Sequence, residues 1–389
     1  MENKLWSRNF LFILLLTFFM YIGYSVLVVT LPLYVKNIGG NSTEMGLIVS
    51  LFAVAALISR PVAGHLLDNY GRERVYILGL ISITIVTAFF CLPLAIILLL
   101  VVRFGHGFVW GITSTANSAL TVDVVPKELL VYGWRYFVFA QSMTMAAGPI
   151  IGSFVMLKFG FTPTALLVTF LMVICIVMAK LIKYPKFEKP QAVIEKKFNL
   201  KDMFEKNALF PSLLATLLMM TLGFVMAFVV VYGQQIGVNG SLFFVGLTLM
   251  ILLSNPIVNK LNNKYGDKSV LIISPLCVIM ALIIMSLANG LIPLIIASLF
   301  YGFGYGVIGP ILQTWAVNAS PEERVGAANG TYLASLDVGI ALGSLIFGTI
   351  SGYIGLAKTF SISSICMVTF LVLYILNLHR KRNKISVNG

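Results

Sequence analysis

Runs of about twenty apolar residues dominate this chain of 389 residues and leave little polar sequence between them. A helix of about twenty apolar residues crosses the roughly 30 Å hydrocarbon core of a bilayer. Hydrophobic residues make up 59% of the chain and charged residues only 11%, which excludes an ordinary soluble domain. We predict an all-α integral membrane protein with twelve transmembrane helices, at about 9–31, 44–66, 75–93, 95–118, 134–156, 164–182, 208–232, 242–262, 269–288, 291–314, 327–349 and 357–378.

An internal repeat with an offset of 195 residues divides the chain into two halves. The recurring residues are Pro61/Pro256, Leu66/Leu261, Tyr70/Tyr265, Gly71/Gly266, Val75/Val270, Gly107/Gly302, Gly111/Gly306, Pro126/Pro321 and Gly148/Gly343. Repeated hydrophobic spans are typical of secondary transporters, whose binding site lies between the repeats. We therefore predict two pseudo-symmetric six-helix bundles, residues 1–183 and 208–389, joined by a basic cytoplasmic linker at 184–207.

The distribution of Lys and Arg predicts which side of the membrane each loop faces. One set of loops carries only Lys36, Lys158 and Lys358, whereas the other set, both terminal segments and the linker are rich in Lys and Arg. Because cytoplasmic loops accumulate these residues, we expect both termini to be cytoplasmic, in a bacterial cell membrane. The net charge of +13 then reflects topology and contact with the lipid bilayer, and no nucleic-acid partner is expected.

The loop between the second and third predicted spans is the most distinctive polar segment. Gly64 would let another helix approach closely, and Gly71 would allow a tight turn. Arg72 and Arg74 would hold the loop at the cytoplasmic headgroups, and Asp68 could accept hydrogen bonds from a helix N-terminus or an Arg. The alternative is a basic hairpin that only sets topology.

Five motifs in this order resemble the major facilitator superfamily, and within it the twelve-helix drug:proton antiporter-like exporters. They are the 64–74 loop, its repeat, Arg103-x3-Gly107-x3-Gly111, Gly148-Pro149-x2-Gly152, and the segment 320–326. The resemblance implies two bundles that rock about a central cavity lined by helices 1, 4, 7 and 10. It also implies that helices 2, 5, 8 and 11, with small residues such as Gly148, Gly152 and Gly343, form the moving interface.

Ionisable residues inside spans usually mark function or a pair. Arg60 and Asp337 each lie roughly 12–15 Å from the cytoplasmic boundary at 1.5 Å per residue. We predict a pair that latches the cytoplasmic side and breaks on opening; a permanent structural salt bridge is the alternative. Asp337 is the single acid well inside a span, so it is the leading proton carrier, and Asp123 is expected to bind Arg72 or Arg74.

The fourth span contains Arg103 and His106. A cavity-facing Arg103 could bind an anionic group or repel a proton, but it could also hydrogen-bond carbonyls of helix 1 and only support the bundle. His106 could titrate, although packing or hydrogen bonding is the simpler role. The remaining predicted cavity residues are aromatic or amide-bearing: Tyr24, Tyr232, Tyr301, Tyr305 and Gln313. Such a lining suits amphipathic organic molecules better than sugars.

These observations predict a proton-coupled transporter that exports small amphipathic compounds, as in multidrug resistance, and not an enzyme. No P-loop is present, so the proton gradient is the expected energy source and no cofactor is required. The four cysteines have no metal-site spacing, and a monomer is expected. The alternatives are a dedicated exporter of an anionic metabolite or siderophore, a substrate:proton symporter, and a non-transporting receptor or scaffold.

Overall fold

The computed structural model describes residues 5–184 and 204–387, and among them the side chains outside 255–268 and 380–387. Its elements are helices, and the described residues form no strand. The helices are α1 (Arg8–Asn37), α2 (Ser42–Tyr70), α3 (Arg72–Phe89), α4 (Ile96–Val124), α5 (Leu130–Phe159), α6 (Phe161–Ala179), α7 (Leu209–Gln235), α8 (Phe243–Leu287), α9 (Leu291–Asn318), α10 (Val325–Ile354), α11 (Leu356–Ser363) and α12 (Ile365–Val387). Single 3₁₀ turns precede α5, α7, α8 and α10. The all-α prediction is confirmed.

Ten helical segments among the described residues are long and apolar enough to cross a membrane. The two remaining predicted spans correspond to α3 and to the beginning of α8. The first turn of α3 contains Arg72, Glu73 and Arg74, three charged residues in a helix of only 18 residues. At the start of α8, the apolar helix formed by the described side chains runs from Gly240 to Ser254.

The element α8 contains 45 residues, yet its contacts show that it reverses direction. A methyl group placed on Gly302 of α9 would lie 2.9 Å from the Cα of Leu247. One placed on Gly304 would lie 3.4 Å from the backbone N of Val278. On a straight helix Leu247 and Val278 would be about 46 Å apart, at 1.5 Å per residue. The chain therefore folds back between Ser254 and Ser274, and two arms of α8 pack on α9 where two spans were predicted.

The chain divides into two compact units, residues 1–196 and 197–389. In unit 1, α4 packs on α2 and α3, while α1 packs on α5 and α6. In unit 2, α9 packs on both arms of α8, and α7 packs on α10. Most of the predicted linker, residues 185–203, lies outside the described residues.

Equivalent glycines pack helices together in both units, with the offset of 195 residues that the sequence repeat has. A methyl group on Gly107 would lie 2.8 Å from the Cα of Phe52; the counterpart on Gly302 meets Leu247 in the same way. One helical turn later, methyl groups on Gly111 and Gly306 would lie 3.1 and 3.0 Å from the Cα atoms of Ala56 and Ile251. Glycine allows such close backbone approach in lipid. The sequence repeat is thus also a repeat of packing contacts.

Candidate functional site

The loop between α2 and α3 is fastened to the last turn of α4 by an ion pair. Arg72 donates from Nε to Asp123 Oδ2 at 2.8 Å and from Nη1 to the carbonyl of Leu67 at 3.3 Å. The predicted pairing of Asp123 with a loop arginine is therefore confirmed, and the partner is Arg72. One guanidinium joins the end of α2, the start of α3 and the end of α4.

Gly71 and Gly64, the two glycines of this loop segment, have different structural roles. Gly71 has φ +80°, which confirms the predicted tight turn, because a side chain would be strained there. The prediction of close approach at Gly64 is wrong: among the described residues no atom lies within 4 Å of a Cβ placed there. Asp68 and Arg74 are exposed, and the described part of the chain contains no ion pair between them. Of the predicted loop cluster, only Arg72 and Asp123 are brought together.

We predict a small stability effect from the Arg72–Asp123 pair, because both side chains are about a third exposed, at 33% and 30%. Such pairs contribute about 1 kcal/mol or less. Arg72→Gln and Asp123→Asn should each lower the thermal midpoint of the purified protein slightly, and the double variant should be no worse than the worse single variant. Arg74→Gln is the matched control. Additive losses in the double variant would contradict an ion pair.

The Arg103 side chain is buried inside unit 1, at 1% exposure. Its Nε donates to the carbonyl of Ile48 in α2 at 3.2 Å, and its Nη1 lies 2.8 Å from His106 Nδ1. The guanidinium stands 4.1 Å from the centre of the Phe52 ring. These contacts correct the prediction that Arg103 anchors substrate in the cavity. The structural alternative applies, with the carbonyl supplied by α2 and not by α1.

His106 is likewise buried, at 2% exposure, between the rings of Phe52 and Phe90. Arginine has donors only, so the Nδ1 of His106 accepts from Arg103 and its ring is neutral. This arrangement corrects the placement of His106 in the substrate cavity and assigns it a packing and hydrogen-bonding role.

An aromatic cluster joins α1, α2 and α4 beside this buried arginine. Tyr24 stacks on Trp110 with ring centres 4.6 Å apart, and Tyr21 meets Trp110 edge-on at 5.0 Å. Phe52 lies 5.3 Å from Tyr24 and connects the cluster to Arg103. Tyr21 and Tyr24 are half-buried, whereas Trp110 and Phe52 are buried. The cluster thus joins two half-buried tyrosines to two buried aromatic rings.

A buried polar network, which sequence reasoning missed, joins α1, α3 and α4. Tyr76 donates to Asn117 Oδ1 at 3.0 Å, Asn117 Nδ2 donates to Thr17 at 2.8 Å, and Thr17 donates to the carbonyl of Ile13 at 2.8 Å. All three side chains are at 0% exposure. An Asn in the middle of an apolar run was the available signal, because a buried amide needs partners.

We expect Asn117→Leu to destabilise unit 1 by about 1–2 kcal/mol, since it leaves the Tyr76 hydroxyl without its acceptor in an apolar interior. The measurement is the thermal midpoint in detergent. Ser118→Ala is the control, because the Ser118 hydroxyl donates to the carbonyl of Ser114 in its own helix. Tyr76→Phe in the Asn117→Leu background should recover part of the loss; no recovery would contradict the network.

Two of the predicted cavity residues in unit 2, Tyr232 and Tyr301, are buried with their hydroxyls already bonded. Tyr301 lies 2.7 Å from the Thr221 hydroxyl, and Tyr232 donates to the carbonyl of Ala288 at 3.0 Å. They pack the bundle, which corrects their assignment to the cavity. Tyr305 and Gln313 are half-buried.

Both charges of the predicted latch are half-buried and lie far from their helix ends. Arg60 is ten residues from the end of α2, and Asp337 is twelve residues past the start of α10. At 1.5 Å per residue these depths are about 15 and 18 Å. Arg60 belongs to unit 1 and Asp337 to unit 2, and their pairing stays a prediction.

A second ion pair, not predicted from the sequence, lies within unit 2 where the chain enters α7. Arg324, in the turn before α10, binds the Glu205 carboxylate and donates from Nη2 to the carbonyl of Phe204 at 2.8 Å. The backbone N–H of Glu205 donates to Thr331 of α10 at 2.9 Å. The end of the linker is thus fastened to α10, the helix that contains Asp337.

The Glu205 carboxylate should make stability depend on pH. The backbone N–H of Asn207, followed by the Arg324 guanidinium, holds the pKa of Glu205 below its ordinary value, although partial burial acts in the opposite direction. A lowered pKa contributes stability above the unfolded-state pKa, and this contribution is lost as pH falls through the folded-state pKa. Glu205→Gln should therefore melt below wild type at neutral pH and match it in acid. The control Glu323→Gln should show the wild-type dependence of melting temperature on pH. A difference in melting temperature between Glu205→Gln and wild type that stayed the same at every pH would contradict this prediction.

The glycines of α5 and α10 face helices of their own units. Methyl groups placed on Gly148 and Gly152 would lie 3.2 Å from the Val26 backbone of α1. One on Gly343 would lie 2.5 Å from the carbonyl carbon of Met220 in α7. Their predicted packing role is confirmed, and these contacts join helices of the same bundle. Pro149 is buried in α5 beside Gly148.

Two bundles of apolar helices, related by a residue-for-residue repeat, are the architecture of secondary transporters. A sequence model of the Major Facilitator Superfamily matches residues 13–254 and 233–388. The chain therefore belongs to the major facilitator superfamily, and it is a multi-pass membrane transporter of small molecules and not an enzyme.

Proteins of known description are similar to this chain along its whole length. The chain is 24% identical to the multi-drug resistance efflux pump PmrA homolog of Lactococcus lactis, over 98% of each protein. It is 25% identical to the multidrug resistance protein MdtG of Escherichia fergusonii, over 99% of this chain and 97% of that protein. The structure of the nucleoside transporter NupG matches with a TM-score of 0.74 at 13% identity, over 95% of this chain and 99% of that one. This last likeness concerns the fold alone.

Proposed function

We propose that the chain exports small amphipathic organic compounds in exchange for protons, by alternating access of its two bundles. The observation that carries the proton coupling is Asp337. Among the acids whose side chains the structure describes, Asp337 is the one that lies in the middle of an apolar helix. The other acids of this described set that lie in helices, such as Glu44, Asp68, Glu73 and Asp123, are within a turn of a helix end.

An acid at this depth gives the chain a site that can load and release a proton. A bare carboxylate inside a bilayer is costly unless it is paired with a cation or protonated. If Arg60 is the partner in one conformation and is absent in the other, separation of the pair favours proton uptake. A change of partner would thereby couple proton binding to the conformational cycle.

The substrate class is proposed from the aromatic cluster of Tyr21, Tyr24, Phe52 and Trp110. Flat apolar groups stack on such rings. An anionic substrate held by Arg103 is disfavoured, because its guanidinium is occupied by Ile48 and His106. The relatives named as multidrug efflux proteins support export of varied compounds.

The remaining features complete the proposal. If both termini are cytoplasmic, the Arg72–Asp123 pair lies on the cytoplasmic side of the bacterial cell membrane. There it would hold α2, α3 and α4 together when that side is closed. A monomer is sufficient, because both repeats lie in one chain. The proton gradient supplies the energy, and no cofactor takes part.

The test uses purified protein in proteoliposomes that contain a pH-sensitive dye. Amphipathic cationic dyes, zwitterions and carboxylate metabolites are added in turn. We expect the cationic amphiphiles to trigger proton movement opposite to their own, and the carboxylates to give none. Proton movement in the same direction as the substrate would indicate symport, and no movement with any compound would reject the proposal.

A further inference from the structure

A groove of about 500 Å³ opens in unit 2 where α8, α10 and α11 end or begin. Its apolar walls are Leu287 at the end of α8, Ile354 at the end of α10, and Ala357 and Ile362 of α11. Leu287 is 75% exposed and Ile362 is 45% exposed. This groove is distinct from the aromatic cluster and the ion pairs, all of which have other residues.

The groove lies at the rim of unit 2 opposite the C-terminal tail. The C-terminal tail begins at the far end of α12, whereas the groove is at the turn before α11, where Gly355 has φ +85°. Beside it Tyr353 is 86% exposed. Exposed tyrosines of membrane proteins concentrate at the headgroup level, which places the groove at the interface between hydrocarbon and water.

The groove contains one cation with no acidic neighbour along this rim. Lys358 is exposed and lines the groove. The three chain segments that reach this rim in unit 2, residues 236–242, 287–291 and 350–364, contain no Asp or Glu. An apolar groove beside an uncompensated ammonium group is complementary to an amphiphile with an anionic head.

We propose that the groove binds an anionic phospholipid of the leaflet opposite the C-terminal tail. An acyl chain would lie against Leu287, Ile354 and Ile362, and the phosphate and its headgroup would meet Lys358. A soluble anion would interact only with Lys358, because the apolar walls would give it no favourable contact. A zwitterionic lipid would fill the same walls, but its own ammonium group would oppose Lys358.

The proposal is tested by native mass spectrometry of the delipidated full-length protein in detergent, titrated with phosphatidylglycerol or phosphatidylcholine. Wild type should prefer phosphatidylglycerol. Lys358→Gln should weaken that binding about fivefold, the typical effect of one cation at a lipid surface, and leave phosphatidylcholine unchanged. Lys358→Arg should keep the preference. Ala357→Trp, which fills the groove without a change of charge, should weaken the binding of both lipids.

The control is Lys158→Gln, which removes a lysine in the last turn of α5 in unit 1. Lys158 lies 5.6 and 5.4 Å from the rings of Phe154 and Phe159 and lines no part of the groove. The Lys158→Gln variant should bind phosphatidylglycerol at the wild-type level. Equal losses from Lys158→Gln and Lys358→Gln would show a general charge effect and overturn the proposal, as would undiminished binding in Lys358→Gln.

Discussion

Asp337→Asn should reduce uphill substrate export by about a hundredfold or more, the usual effect of removing an essential proton-transfer group. Asn has the shape of Asp but cannot exchange a proton, so the cycle loses the step that links it to the gradient. Downhill exchange of labelled substrate should persist, because the bundles can still rearrange. The measurement is accumulation of a fluorescent amphiphile in inside-out vesicles, normalised to protein present in the membrane.

Glu322→Gln is the matched control, since this exposed acid lies in the turn before the same helix. It should export at the wild-type rate. Asp337→Asn that still exports uphill would exclude Asp337 as the proton carrier. Loss of both uphill export and downhill exchange would instead identify Asp337 as a structural residue.

Gly107→Ala and Gly302→Ala should each destabilise the protein by about 1–3 kcal/mol, the cost of overpacking a tight interface. The added methyl group would lie 2.8 Å from the Cα of Phe52 in Gly107→Ala and 2.9 Å from the Cα of Leu247 in Gly302→Ala. Backbone atoms cannot relieve such a contact by changing rotamer, as a side chain can. Because the two positions are repeats of each other, we expect similar losses of thermal midpoint from both.

Neighbouring glycines on the same two helices provide controls. Gly105 has no described atom within 4 Å of an added Cβ, and Gly309 meets only the Tyr332 hydroxyl at 3.8 Å. Alanine at these positions should be neutral or stabilising, because glycine is unfavourable inside a helix by about 1 kcal/mol. If all four variants behaved alike, the close packing of α4 on α2 and of α9 on α8 would be refuted.

The fold was predictable because membrane insertion acts on local composition. Span length and the repeat follow directly from the order of apolar residues, and a helix is the structure that satisfies the backbone of such a segment in lipid. The turn at Gly71 and the pairing of Asp123 with Arg72 were accessible for the same reason, since both are set by residues at the ends of predicted helices.

The side-chain environments inside each bundle were less predictable, because they depend on helix rotation. Arg103 could face a cavity or a neighbour, and only the packing of α4 on α2 places it beside Ile48, Phe52 and His106. The Glu205–Arg324 pair joins residues 119 apart, and no periodic pattern relates them.

Proton-coupled export is tested most directly by asking whether a pH gradient alone drives transport by the purified protein. In proteoliposomes without ATP, an imposed pH gradient should drive an amphipathic cation toward the acidic side, against its own concentration difference. A proton ionophore should abolish this accumulation in wild type, and Asp337→Asn should lack it from the start. Accumulation that survived the ionophore, or that was equal in Asp337→Asn, would contradict proton-coupled export through Asp337.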